Sequence, residues 1–171
     1  TKFEVLQLEI TGEPGGTAAV FDGLTEMTGA VVEENTAGVY SVTTVALADG
    51  QHDLSFTVMD TAGNISPAAQ LSVTVDTVAP GAPSIDLVND TLGDTDQGDT
   101  ATDDITKDNV LTLTITGEAS GLLILEDNGT ELVPDSVTDN NDGTYTVVTG
   151  ELADGAHELT AKVRDDAGNI S

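Results

Sequence analysis

Two stretches of this chain decide its fold: "HDLSFTVMDTAGNIS" at residues 52–66 and "HELTAKVRDDAGNIS" at residues 157–171. Each begins with a run in which apolar and polar residues alternate, and a period of two predicts a β-strand with one buried face. Each ends in Asp-x-Ala-Gly-Asn, which predicts a tight turn, because Asp caps its own backbone and glycine accepts a positive φ. The same strand and turn therefore occur twice in the sequence, 105 residues apart.

The doubled turn belongs to a larger internal repeat. A shift of 105 residues aligns residues 1–66 with residues 106–171 without a gap, and about half of the aligned positions are identical, including "TGE" at 11–13 and 116–118. A gapless repeat of this size is typical of tandem modular arrays. Residues 67–105 occur only once, so we expect the first module to lack its first strand and the second module to lack its last.

Each module reads as a series of short strands separated by turn signals. About seven such strands in roughly 100 residues, with no helical periodicity, predict an all-β fold of two tandem immunoglobulin-like β-sandwich modules with Greek-key connections, both incomplete at one end. We place the first module at residues 1–75, a linker at 76–82 and the second module at 83–171. The predicted strands are 5–11, 18–21, 52–60, 69–77, 83–88, 110–116, 122–126, 130–133, 144–149 and 157–165.

The amino-acid composition of the chain restricts the classes of molecule that it can bind. Acidic residues outnumber basic ones 31 to 4, which gives a net charge of −27. Such a surface repels nucleic acid and anionic membranes, and a divalent cation is its natural counter-charge. A second interpretation is a coat of acids that serves solubility alone. The chain has no cysteine, which excludes disulfides and thiolate metal sites, and no apolar run is long enough to cross a membrane as a helix.

Several segments resemble a known family. "DTVAPGAPSIDLVNDT" (76–91), "LSVTVDT" (71–77), "TGE" and "LADGAHELTAKVRDDAGNIS" (152–171) are similar to the bacterial Ig-like repeats of giant RTX-type and biofilm-associated surface adhesins. The resemblance covers nearly the whole chain. It implies secreted, cell-surface extender modules that are strung end to end, have neighbouring repeats of the same chain as partners, and are stiffened by Ca²⁺ at their junctions. Contacts to cell or biofilm surfaces would be made by other domains.

The strand order of such a sandwich predicts where calcium ligands converge. Successive strands run up and down, so the turn after the second strand and the turn after the sixth strand share one pole with the linker. Oxygen ligands of carboxylates and carbonyls suit Ca²⁺, which takes six to eight of them, better than Mg²⁺ or zinc. The candidate ligands at the junction between the modules are Asp76, Glu118, Asp165, Asp166, Asn169 and, from the first module, Asp49. The matching residues at the free pole of the first module are Glu13, Asp60 and Asn64. A turn-forming role without any metal is the alternative for the residues of the two Asp-x-Ala-Gly-Asn turns and for Asp49.

A second acidic segment, "NDTLGDTDQGDTATDD" at residues 89–104, follows the predicted strand 83–88. It is not an EF-hand, because counting from Asp94 puts Asp99 at the glycine position and Ile105 at the glutamate position. A looser calcium site is one interpretation, and a solvated acidic loop is the other. The candidate ligands of the looser site are Asp90, Asp94, Asp96 and Asp104.

The motifs in the sequence do not support a catalytic function. No nucleophile elbow, P-loop or His-Glu metal motif is present, and the chain has no Trp to hold a sugar. His52 and His157 open equivalent strands and predict a structural hydrogen bond at the corner, and Tyr40 and Tyr145 predict core or corner positions. The sequence thus favours a structural extender over the alternative, an Ig-like binding module that contacts a glycan, a host surface or another copy of itself. It predicts no enzyme.

Overall fold

The computed structural model describes residues 1–88, 106–119 and 121–171, and all regular structure in these ranges is β. The chain divides into two compact units, unit 1 at Thr1–Val78 and unit 2 at Ala79–Ser171. The described residues contain no helix of the length and apolarity needed to cross a membrane. The predicted all-β class is confirmed.

Unit 1 is a sandwich of two antiparallel sheets. One sheet has three strands in the order β1-β5-β4, and the other has four in the order β3-β2-β6-β7. The strands are β1 (Gln7–Thr11), β2 (Thr17–Asp22), β3 (Thr25–Glu26), β4 (Val31–Thr36), β5 (Val39–Thr43), β6 (Gly50–Met59) and β7 (Ala69–Val75).

Unit 2 is also a sandwich of a three-stranded and a four-stranded antiparallel sheet, but a different edge strand completes its four-stranded sheet. Its four-stranded sheet has the order β12-β13-β9-β8, and its three-stranded sheet the order β11-β10-β14. The strands are β8 (Ser84–Leu87), β9 (Thr112–Thr116), β10 (Leu122–Asp127), β11 (Thr130–Glu131), β12 (Ser136–Asp139), β13 (Thr144–Val148) and β14 (Leu159–Arg164).

The strands form because alternate residues can be buried between the two sheets. In β13 the inward residues Tyr145 and Val147 are 1% and 0% exposed, while the residues between them are half-buried. The register places Tyr145 opposite Ile115 and Val147 opposite Leu113. β-branched and aromatic side chains suit this pleated, half-buried surface. The core of unit 2 consists of Leu111, Leu113, Ile115, Leu125, Tyr145, Val147 and Val163.

Four strands were not predicted: β3, β4, β5 and β12. β4 and β12 lie on the outer edges of their sheets, and β4 exposes five of its six residues. With one solvated face and no neighbour on one side, such a strand needs no apolar alternation, so its sequence gives a weak strand signal. β4 and β12 lie in the segment where the two modules differ most in sequence.

The units differ at the ends of the sequence repeat. β8 pairs with β9 in unit 2, and among the described residues β1, the counterpart of β9, has only β5 as a neighbour. β7 pairs with β6 in unit 1, and β14, the counterpart of β6, has only β10 as a neighbouring strand in the described part of unit 2. Within the described residues, each unit thus lacks one edge strand that is present at the equivalent position of the other unit.

Candidate functional site

A tyrosine hydroxyl fastens the loop after the first long strand at one end of each unit, which we call the turn end. The hydroxyl of Tyr145 donates to the backbone carbonyl of Glu118 and accepts the backbone N–H of Gly121 at 3.0 Å. In unit 1 the hydroxyl of Tyr40 donates to the carbonyl of Glu13. Both rings are buried, at 1% and 2% exposure. The prediction of core or corner tyrosines is confirmed.

The Asp-x-Ala-Gly-Asn turn also lies at the turn end and closes on itself. Oδ1 of Asp165 accepts the backbone N–H groups of Gly168 and Asn169 at 2.7 and 2.8 Å, and Oδ2 accepts the side-chain amide of Asn169 at 2.9 Å. Asp60 holds Asn64 in the same way, at 2.8 Å to the backbone N–H and 2.7 Å to the side-chain amide. Gly63 and Gly168 have φ of 91° and 95°, which is the left-handed region that favours glycine.

These donors hold both aspartates in the ionised form. The side-chain and backbone N–H groups of Asn64 lower the pKa of Asp60 below its ordinary value. Partial burial alone would raise the pKa of Asp165, but the hydrogen bonds from Asn169 and Gly168 outweigh it and the pKa is lowered. The turn therefore satisfies most of the acceptor capacity of each carboxylate.

The remaining candidate ligands at the turn end do not complete a metal site within one unit. Glu13, Glu118 and Asp166 are exposed. Within the three described ranges, no three His, Asp or Glu side chains gather as a metal ion would require. Arg164 lines the same shallow depression of about 440 Å³ as Asp165 and Asp166, and a guanidinium there opposes a cation. Among the described residues, the donors of a single unit do not form a Ca²⁺ site by themselves, and their role as ligands stays a prediction.

At the opposite end of unit 1, Asp49 lies beside the segment that carries Asp76. Oδ1 of Asp49 accepts the backbone N–H of Thr77 at 2.8 Å, and Oδ2 accepts the hydroxyl of Thr77 at 3.2 Å. Asp76 accepts the N–H of Val78 at 3.1 Å. The structure thus places these two predicted ligands on adjacent segments at one end of unit 1, one just before β6 and one just after β7. The predicted ligands Asp90, Asp94, Asp96 and Asp104 lie outside the described residues.

A histidine clamp lies at the start of β6 and at the equivalent position in unit 2. Nδ1 of His52 lies 2.6 Å from Oδ2 of Asp22, and Nε2 lies 2.9 Å from the carbonyl oxygen of Ala48. His157 repeats both contacts with Asp127 at 2.7 Å and Ala153 at 2.8 Å. The predicted structural hydrogen bond at this corner is confirmed in both units.

The clamp favours the charged imidazolium. Both ring nitrogens face acceptors, and a neutral imidazole carries only one N–H, so it can satisfy only one of them. The carbonyl of Ala48 first and the carboxylate of Asp22 second raise the pKa of His52 above 6.5, and Ala153 and Asp127 raise the pKa of His157 in the same way. Protonation therefore tightens the corner.

We expect each unit to lose stability as the pH rises through the pKa of its histidine. Because the folded-state pKa is raised, the contribution is fully present below pH 6.5, the ordinary value, and disappears above the folded-state value. NMR titration of the His52 and His157 ring protons would give the two pKa values. Urea denaturation between pH 5 and pH 9 should show the loss in the native chain and a flatter profile in the His52→Gln and His157→Gln variants. An unchanged profile in those variants would contradict this account.

Further polar residues take part in the repeated clamps and were not predicted. The hydroxyl of Thr149 accepts the N–H of Leu111 at 2.9 Å, and Thr44 accepts that of Leu6 at 2.9 Å. Ser171 accepts the N–H of Val163 at 2.9 Å, as Ser66 does for Val58 at 3.0 Å. All of these hydroxyls, like Asp22 and Asp127, are identical in the two modules, and that identity at a spacing of 105 is the signal that could have found them.

Known proteins with the same β-sandwich architecture are similar to this chain. The family model described as "Bacterial Ig-like domain" matches residues 1–77 and again residues 82–171. Among solved structures, the fibronectin(III)-like modules of Clostridium thermocellum CbhA are similar with a TM-score of 0.53 at 14% identity, covering 98% of this chain and 80% of that one. The titin domains z1z2 in complex with telethonin match with a TM-score of 0.38 at 10% identity, covering 99% of this chain and 85% of that one. A search of curated proteins found no significant match.

Proposed function

Because this chain belongs to the bacterial Ig-like domain family, we propose that it is a pair of structural extender modules of a secreted bacterial surface adhesin, in which Ca²⁺ stiffens the junctions between modules. Domains of this fold are typically non-enzymatic structural modules, and bacterial Ig-like domains are commonly extracellular or surface-associated. In this role the pair serves as a spacer, and other domains of the adhesin recognise the target.

The duplication of the internal clamps carries this proposal. The residues that the two modules share include the polar side chains that fasten loops to strands at both ends of each unit: the tyrosine, histidine, aspartate-asparagine and hydroxyl contacts. Each contact joins residues of one unit to each other, so the shared residues serve the unit's own integrity. The segment between β3 and β5 differs from the segment between β11 and β13 in sequence. A spacer must keep the contacts that hold each of its units together, whereas the segments outside these contacts are free to vary.

The strong negative charge of the chain supports a role for calcium. A net charge of −27 on 171 residues opposes compaction unless cations screen or bind it. Asp49 and Asp76 lie on adjacent segments at one end of unit 1 and offer oxygen donors of the type that Ca²⁺ prefers. Since the described residues of one unit do not gather enough acids for a site, we propose that the ion draws on donors of consecutive modules at their boundary.

Small-angle X-ray scattering of the intact chain tests this proposal. The chain is measured in about 5 mM calcium, above the roughly 10⁻⁴–10⁻³ M Kd typical of extracellular calcium modules, and again in excess chelator. Magnesium at equal concentration controls for screening, because Mg²⁺ prefers a tighter octahedral site. The Asp49→Asn, Asp76→Asn double variant is the matched control for the proposed donors. Far-UV circular dichroism in each condition separates loosened junctions from unfolded units.

A further inference from the structure

The hairpin between β10 and β11 has a different tip from its counterpart between β2 and β3. In unit 2 the tip is Asn128-Gly129, and a shift of 105 residues places Gly23-Leu24 at the same turn of unit 1. Asn128 has φ of 50°, Gly129 has φ of 75°, and both residues are exposed. An Asn-Gly pair suits a two-residue hairpin, because both residues accept a positive φ. Unit 2 therefore carries a side-chain amide at this tip, and unit 1 does not.

The backbone nitrogen of Gly129 can reach the side chain of Asn128 without steric hindrance. Every other asparagine of the chain precedes a residue with a side chain, which hinders the approach of the following backbone nitrogen. A Cβ at Gly129 would meet nothing within 4 Å. In the part of the chain that the structure describes, no hydrogen bond engages the N–H of Gly129. This nitrogen is therefore available to attack the neighbouring carboxamide.

The reaction that this arrangement permits needs only water. The backbone nitrogen of Gly129 forms a bond to Cγ of Asn128, the Cγ–Nδ2 bond breaks, and ammonia leaves with the proton of the Gly129 N–H. Water then adds to one of the two carbonyl carbons of the resulting five-membered succinimide and opens the ring. The product is aspartate or isoaspartate. Both carry a carboxylate that is ionised at neutral pH, so a neutral side chain becomes a negative one.

We propose that Asn128 is a site of spontaneous deamidation, which changes the histidine clamp of unit 2 and has no counterpart in unit 1. Nδ2 of Asn128 donates to Oδ1 of Asp127 at 2.9 Å, and Oδ2 of the same carboxylate lies 2.7 Å from Nδ1 of His157. Deamidation replaces the amide donor by a second carboxylate. One hydrogen bond to Asp127 is then lost, and a like charge lies beside it.

The added carboxylate strengthens the preference of His157 for the charged imidazolium, because a nearby negative charge stabilises the protonated ring. In unit 1, Asp22 makes the same contact to His52 and is followed by Gly23, which has no side chain to deamidate. Deamidation leaves the other charged residues that line the cleft beside His157 unchanged; these are Lys107, Asp108, Asp154 and Glu158.

Peptide mapping by mass spectrometry of the intact chain, aged at pH 8.5 and 37 °C, tests the site. The mass increase of amide-to-acid conversion should appear at Asn128 before Asn141, which is also exposed with φ of 59° but precedes Asp142. Because an exposed turn opens at little cost, the rate should lie within about tenfold of that in a synthetic peptide of residues 122–134. The Asp-Gly pairs of the chain isomerise without this mass change. An Asn128 that stays intact while the peptide converts, or equal conversion at Asn141, would overturn the proposal.

NMR titration of the histidine ring protons in the Asn128→Asp variant tests the effect on the clamp. We expect His157 to titrate at a higher pH than in the native chain and His52 to titrate as before. Asn128→Gly is the matched control, because it places the unit 1 residue at the tip and cannot lose ammonia. It should leave the titration of both histidines unchanged and show no mass increase at the tip on ageing. An unshifted His157 in Asn128→Asp, or an equal shift in Asn128→Gly, would contradict the proposal.

Discussion

Gly121→Ala is expected to destabilise unit 2 by about 1–3 kcal/mol, because it forces a methyl group into a filled core. The new Cβ would lie 2.2 Å from Cγ1 of Val163, which is fully buried, and 3.2 Å from the carbonyl oxygen of Arg164. The methyl group therefore has to displace a buried side chain and crowd a backbone carbonyl. The same substitution at Gly16 in unit 1 meets Val58 at 2.3 Å and should cost a similar amount.

Urea denaturation followed through the NMR amide signals of each unit measures this effect. Gly121→Ala should lower the midpoint for unit 2 and leave unit 1 unchanged, and Gly16→Ala should do the reverse. Gly81→Ala is the neutral control, because a Cβ there meets nothing within 4 Å. A Gly121→Ala chain with the native midpoint would show that the turn end packs differently from the structure.

Tyr145→Phe is expected to destabilise unit 2 by about 1–3 kcal/mol, the cost of leaving buried polar groups without a partner. The substitution keeps the ring in the core but removes the hydroxyl that joins Gly121 N–H to the carbonyl of Glu118. Tyr40→Phe removes the contact to the carbonyl of Glu13 and should cost less, because fewer hydrogen bonds are lost.

The same urea assay compares the two tyrosine variants, each against the unaffected unit as its reference. Tyr145→Phe should also disorder the loop around Gly121, which hydrogen exchange of its amide would report. Equal midpoints for the native chain and Tyr145→Phe, with the Gly121 amide still protected, would contradict a fastening role for the hydroxyl.

The sequence predicted the long strands well because their apolar residues alternate. β6, β9 and β13 bury every second residue over most of their length, so the period of two is visible in the sequence. β4 and β12 were not predicted, because backbone pairing to one neighbouring strand holds each of them in place. Backbone pairing requires no alternation of apolar and polar side chains, so it gives no signal in the sequence.

The clamps were predictable in part. The repeat at 105 marked His52 and His157 as structural, but their partners Asp22 and Asp127 stand 30 residues away at the ends of other strands. Only the pairing of β2 with β6, and of β10 with β14, brings them together. For the Asp-x-Ala-Gly-Asn turns, the sequence identifies oxygen donors such as Asp165. Whether the lone pairs of such a carboxylate remain available to a metal depends on the backbone geometry of the turn, which the sequence does not show.

The account depends most on whether calcium stiffens the chain, and scattering with and without calcium tests this directly. We predict a well-defined maximum dimension in calcium that broadens or collapses in chelator while circular dichroism stays unchanged. Magnesium should not substitute for calcium, and the Asp49→Asn, Asp76→Asn variant should show a weaker response. Identical scattering curves for the native chain in calcium and in chelator would contradict a calcium-stiffened spacer and would leave the acidic surface as a solubility coat.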